Sequence, residues 1–166
     1  MKETLKVINK LRKQGVITDY AIGGGIAAIY YIEPILTYDL DVFVILPGVR
    51  ESKVIDMAPL YERLQKNGYS WQKEHLMIEG VPAQFIPADE LETEAIQNAI
   101  DIDYEGVKTR VFSVEYLIAI LTRAGRPKDI EKVKRLLEQA SVNKRKLRSI
   151  LAQYGLLDSY KKLNPI

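Results

Sequence analysis

The chain has no cysteine, which excludes disulfides, zinc–thiolate sites and thiol catalysis. It has one histidine, His75, too few for a histidine-rich metal cluster. His75 lies in a strand-like stretch and reads as structural or exposed. No apolar run approaches the ~20 residues that span a bilayer. The opening MKETLKVINKLRKQG is amphipathic and lacks the apolar core of a signal peptide. These absences predict a cytoplasmic protein with no membrane partner.

At 166 residues with 47% apolar content, the chain suits one compact domain, or a core with a small appendage. Its net charge of +2 is unevenly spread. Residues 1–119 hold 12 Lys+Arg against 18 Asp+Glu, a net of −6. Residues 120–166 hold 12 against 4, a net of +8. This asymmetry fits either an acidic metal site beside a basic surface for a polyanion, or solvated helix faces.

Leu5, Ile8 and Leu11 predict an amphipathic first helix ending near Gly15. Tyr20-Ala21-Ile22 reads as a strand entering Gly23-Gly24-Gly25, with a helix from Ile26 to about Ile32 and a stop at Pro34. A second strand spans residues 39–46. Met57, Leu60, Tyr61 and Leu64 mark another helix, with Gly68 as its C-terminal cap. Residues 69–78 and 81–86 read as two strands about Glu79-Gly80, residues 88–99 as helix and 107–112 as a further strand. From Ser113 the pattern is helical, broken at Gly125 and restarted at Pro127. The expected fold is α/β (α+β): a small mixed sheet flanked by helices over residues 1–112, with a helical C-terminal part, 113–166, packed on it.

The chemistry concentrates in residues 20–46, YAIGGGIAAIYYIEPILTYDLDVFVIL. In a strand, residues two apart share a face about 6.6 Å apart, so Asp39 and Asp41 project side by side. Like charges on one partly buried face call for a positive partner. Mg²⁺ or Mn²⁺ suits them, since these ions favour carboxylate and phosphate oxygens. A bare D-x-D also serves as a solvated strand start, or pairs with Lys or Arg. Gly24 and Gly25 let backbone N–H groups approach phosphate at a helix's positive end, although a tight strand-to-helix turn uses glycine too. Gly23-Gly24-Gly25-Ile26-Ala27-Ala28 also fits the dinucleotide pattern G-x-G-x-x-A. Here, however, the acids precede their apolar run rather than follow a second parallel strand. No G-K-[ST] follows the glycines, so a P-loop is excluded.

Taken together, Gly24-Gly25-Ile26-Ala27 and Thr37-Tyr38-Asp39-Leu40-Asp41 resemble the signature of the DNA polymerase β-like nucleotidyltransferase superfamily. More closely, they resemble small bacterial nucleotidyltransferase-like proteins related to the AbiEii toxins. Residues 115–119 and 125–129 resemble the start of such proteins' helical C-terminal part. The resemblance implies that Asp39 and Asp41 are catalytic and hold metal, and that Gly24, Gly25 and Thr37 bind nucleotide. It implies nucleotidyl transfer from a nucleoside triphosphate to a hydroxyl of RNA, protein or a small molecule, with a toxin–antitoxin partner protein as one context. Arg123, Arg126 and Lys128, at a helix junction, either reach phosphate or cap carbonyls and face solvent.

Three positions depart from that pattern. Gln84 stands where relatives carry a third carboxylate, and an amide is no general base. Ile35 and Leu121 stand where Arg and Lys are common. An alternative is therefore a catalytically silent nucleotide-binding or antitoxin-like protein of the same fold. A basic RNA-binding module resting on the C-terminal charge is a third reading.

Overall fold

Leu5, Ile8 and Leu11 are buried on one face of the first helix, α1 (Lys2–Lys13), as their spacing predicts. The computed structural model describes residues 1–48 and 54–163. After α1 come β1 (Asp19–Ile22), α2 (Gly24–Tyr31), β2 (Leu40–Ile45), α3 (Ala58–Lys66), β3 (Ser70–Gln72), β4 (His75–Ile78) and β5 (Val81–Pro87). Then follow α4 (Glu90–Gln97), β6 (Ile100–Tyr104), β7 (Val107–Val111), α5 (Val114–Ala124), α6 (Pro127–Gln139), α7 (Lys144–Gln153) and α8 (Leu157–Leu163). No helix among the described residues is long and apolar enough to cross a membrane.

The strands form one mixed seven-stranded sheet among the described residues, in the order β3-β4-β5-β2-β1-β7-β6. β2 runs antiparallel to β1 and parallel to β5, and β1 runs parallel to β7. The continuous apolar run Val42-Phe43-Val44 is buried, as expected of a central strand covered on both faces. α5 is buried over nine consecutive residues, Val114–Thr122, and packs against α2 and α4. A single hydrophobic cluster joins these helical residues to the sheet.

Several boundaries differ from the expectations, each for a local reason. Residues 69–78 are two strands rather than one, because Lys73 adopts a left-handed conformation (φ 56°) and turns the chain. No Gly or Asn marks that turn, so composition does not reveal it. β6, Ile100-Asp101-Ile102-Asp103-Tyr104, was read as no element. It is an edge strand against β7, with four of its five residues exposed, so it shows no buried run. The helix after the glycines begins at Gly24, not Ile26. β2 begins at Leu40, leaving Asp39 one residue outside the ladder.

Candidate functional site

A cavity of about 940 Å³ opens between the β1–α2 turn, the end of β2, β5 and the α5–α6 junction. Its wall includes Gly24, Gly25, Thr37, Asp39, Asp41 and Gln84 from the first part of the chain. Facing them are Arg123, Arg126 and Lys128, so the structure brings every predicted site residue to one cleft. Ile35 and Leu121, where Arg and Lys were expected from the resemblance, line the same cavity.

The glycines matter because of what stands beside them. Gly23 N–H donates to the Asp41 carbonyl at 3.0 Å, tying the turn to β2. The first intrahelical bond of α2 runs from Ala27 N–H to Gly23 O. The amides of Gly24, Gly25 and Ile26 therefore belong to the unpaired first turn, the positive end of the helix. A Cβ on Gly24 would stand 1.9 Å from Asp41 Oδ2, and one on Gly25 would stand 2.5 Å from Thr37 Oγ1. Gly24 also has φ +57°, in the left-handed region that disfavours side chains. Only glycine lets carboxylate, hydroxyl and helix start come this close.

Asp41 feels that crowding electrostatically. Burial, followed by the like charge of Asp39, pushes its carboxyl up from 3.8 to about 6. Lys132, Arg126 and Lys128 pull in the opposite direction without winning. The apo cleft is thus short of positive charge at Asp41. Among the described residues no group of three or more His, Cys, Asp or Glu is placed to hold a metal ion. A metal at this site would have two carboxylates and complete its sphere with ligand and water oxygens, which is how Mg²⁺ is usually held. The donor set fits.

Gln84 pairs with Asp41 in the parallel β2–β5 ladder and is exposed to the cavity. Its amide therefore shares a sheet face with the carboxylate. Asp39 accepts a hydrogen bond from an unexpected donor: His75 Nε2 lies 3.1 Å from Asp39 Oδ2. The register Leu76↔Ala83, taken one step further, sets His75 opposite Gln84. His75, Gln84 and Asp41 thus form a row across β4, β5 and β2. The β4–β5 hairpin at Glu79-Gly80, which the sequence marks with a glycine, sets His75 opposite Gln84. The unmarked feature is the Lys73 turn, which separates β3 from β4 and so starts β4 at His75.

The helical wall is differently organised. Arg123 lines the cleft, but its guanidinium binds Asp89 Oδ2 at 2.7 Å and also contacts Glu92. Those two acids form the capping box of α4. Burial, with Asp89 alongside, pushes the Glu92 carboxyl up, opposed by Arg123. Arg126 Nε reaches Asp129 at 2.5 Å, and Lys132 Nζ lies 3.4 Å from the same fully buried carboxylate. Lys132 and Arg135 escaped the sequence reading, yet both line the cavity. Lys128, Lys132 and Arg135 are spaced i, i+4, i+7, so helical periodicity could have found them.

No family model matches the chain, and no curated protein matches it significantly. Solved structures do. An antigenic nucleotidyltransferase-like protein from Paracoccidioides brasiliensis is 18% identical, with a TM-score of 0.56 over 98% of this chain and 92% of that one. The solution structure of the antibiotic-resistance factor ANT(2'')-Ia is 18% identical, with a TM-score of 0.51 over 96% and 94% of the two chains. The crystal structure of ANT(2'')-Ia with adenylyl-2''-tobramycin is 19% identical, with a TM-score of 0.51 over 91% and 96%. At such identities the likeness is one of fold: the chain has the mixed α/β architecture of nucleotidyltransferase-like proteins.

Proposed function

We propose that this chain is a nucleotidyltransferase that takes its nucleotide from a nucleoside triphosphate with Mg²⁺ or Mn²⁺. The carrying observation is that Asp39 and Asp41 share one cavity with the Gly24–Gly25 turn and, opposite, with Lys128 and Lys132. Asp39 and Asp41 would hold the metal, whose chemistry is to neutralise phosphate charge and lower the pKa of a bound hydroxyl. The amides of Gly24 and Gly25 would bind phosphate oxygens at the helix start. Thr37 is a further donor beside Gly25. Lys128, Lys132 and Arg126 would receive the outer phosphates, and Arg123 would hold α4 against the cleft. In the reaction, an acceptor hydroxyl oxygen bonds to the α-phosphorus, pyrophosphate leaves, and the hydroxyl proton passes to solvent. Residues 1–112 would form the nucleotidyl core and residues 113–166 its helical wall.

The acceptor would be a hydroxyl of RNA, protein or a small molecule. The likeness of the glycine and T-x-D-x-D elements to AbiEii-related proteins favours a toxin–antitoxin setting with a partner protein. Gln84 favours a second reading, because its amide cannot take a proton where it faces Asp41. On that reading the chain binds nucleotide without turnover. Incubation with labelled triphosphates, Mg²⁺ or Mn²⁺, and total RNA or lysate tests both. Pyrophosphate release with a labelled species supports the transferase. Binding without release supports the silent protein, and an absence of binding removes both.

A further inference from the structure

Asp41 is fixed twice, by its place in the β2–β5 ladder and by the backbone of Gly24 against its carboxylate. Asp39 has neither support. It precedes the first ladder residue, Leu40, at the end of the irregular segment 33–39. A metal ligand on such a segment needs its carboxylate oriented by something else, since outer-sphere hydrogen bonds set how first-sphere ligands point. Among the described residues its hydrogen-bond partner is His75 Nε2, on Oδ2 at 3.1 Å. Both side chains are about 30% exposed. A half-solvated pair of this kind adds little to folding stability. An ionised carboxylate only accepts, so Nε2 must carry the proton and cannot itself ligate a metal while this bond lasts.

We propose that His75 is a positioning residue for Asp39: its Nε2–H holds one carboxylate oxygen so that the other is presented to a divalent cation in the cleft. This rests on the reading of Asp39 as a metal ligand. It also explains how an acid outside the sheet can act alongside one inside it. The β4–β5 hairpin at Glu79-Gly80 brings the donor in from the far side of β5.

The test is Mn²⁺ binding to the whole chain, followed by electron paramagnetic resonance of the free ion, with thermal unfolding in parallel. Four variants are compared with wild type: Asp39→Asn, His75→Ala, His75→Asn and His75→Gln. The Gln amide nitrogen occupies the Nε2 position and can still donate; the Asn amide ends too short. His75→Ala and His75→Asn should weaken Mn²⁺ binding by about 10- to 100-fold, while His75→Gln stays within about threefold of wild type. Asp39→Asn should abolish binding. If His75→Ala fails to fold, the Asn–Gln pair decides alone. Unchanged affinity in His75→Asn, or equal losses in His75→Asn and His75→Gln, overturns the positioning role while Asp39→Asn still shows a metal site. Wild-type affinity in Asp39→Asn overturns the metal reading of Asp39, and the role of His75 falls with it.

Discussion

The two walls of the cleft are built on opposite principles. The strand wall, with Gly24, Asp39, Asp41 and Gln84, gathers two negative charges where burial makes them costly. Asp41, displaced to about 6, registers that cost. On the helical wall, Arg123, Arg126 and Lys132 already have acidic partners. Arg126 and Lys132 converge on Asp129, and Arg123 on Asp89 and Glu92. The strand wall is thus under electrostatic strain until something positive arrives, whereas Arg123, Arg126 and Lys132 of the helical wall are paired at rest. The proposed phosphate-bearing ligand and metal would relieve the first and compete with Asp129 in the second. Substitutions in the strand wall should therefore act on fold and binding together, and a substitution of the exposed Lys128 in the helical wall on binding alone.

The largest effect should come from Gly24→Ala. Its Cβ has no room beside Asp41 Oδ2, and φ +57° is strained for alanine. We expect about 1–3 kcal/mol of destabilisation in denaturant unfolding, with loss of triphosphate binding by calorimetry. Wild-type stability and binding in this variant would break the contrast at its strongest point. Next comes Gln84→Asp. A third carboxylate paired with Asp41 across the ladder restores a proton acceptor, and any transfer rate should rise by ~10²-fold in a pyrophosphate-release assay. If wild type already turns over efficiently and the variant is slower, Gln84 is an adapted part of the site.

Asp41→Asn should sharpen the comparison through pH. The folded pKa of Asp41, about 6, lies above its ordinary value of 3.8. The unfolded chain therefore releases this proton first as pH rises. The contribution of this group to stability is fully present below pH 3.8 and is lost as pH rises through about 6. Asparagine removes that loss, so above pH 6 the ligand-free variant should be more stable than wild type by about 1–2 kcal/mol. Metal-dependent triphosphate binding should disappear at the same time. Melting curves from pH 4 to 8, with and without Mg²⁺, measure both. A variant less stable than wild type at pH 7 would mean that Asp41 is compensated in the free protein. The smallest effect belongs to Lys128→Ala, an exposed change. Stability should be untouched, and triphosphate affinity should fall only about two- to fivefold, less at high salt.

How much of this was legible in the sequence follows the same division. The glycine turn and the two aspartates are near one another in the chain. Strand pleating and the sterics of glycine act over a few residues, so their chemistry could be read locally. Amphipathic spacing likewise revealed α1 and α3, because burying one face is a periodic demand. What escaped depends on pairing. β6 shows no buried run because it is an exposed edge, and the Lys73 turn uses no turn-forming residue.

The sequence by itself determined which side chains can do the chemistry: no thiol, one imidazole, two adjacent carboxylates and a late excess of Lys and Arg. Tertiary structure alone decided which of them meet. Register across β4, β5 and β2 brought His75 to Asp39 and Gln84 to Asp41. Burial of α5 under α2 and α4 carried α6 to the far side of the same cleft. Contacts between residues far apart in the chain are fixed by packing and ladder pairing. The local pattern can show that a face is buried, but it does not name the distant residue that covers it.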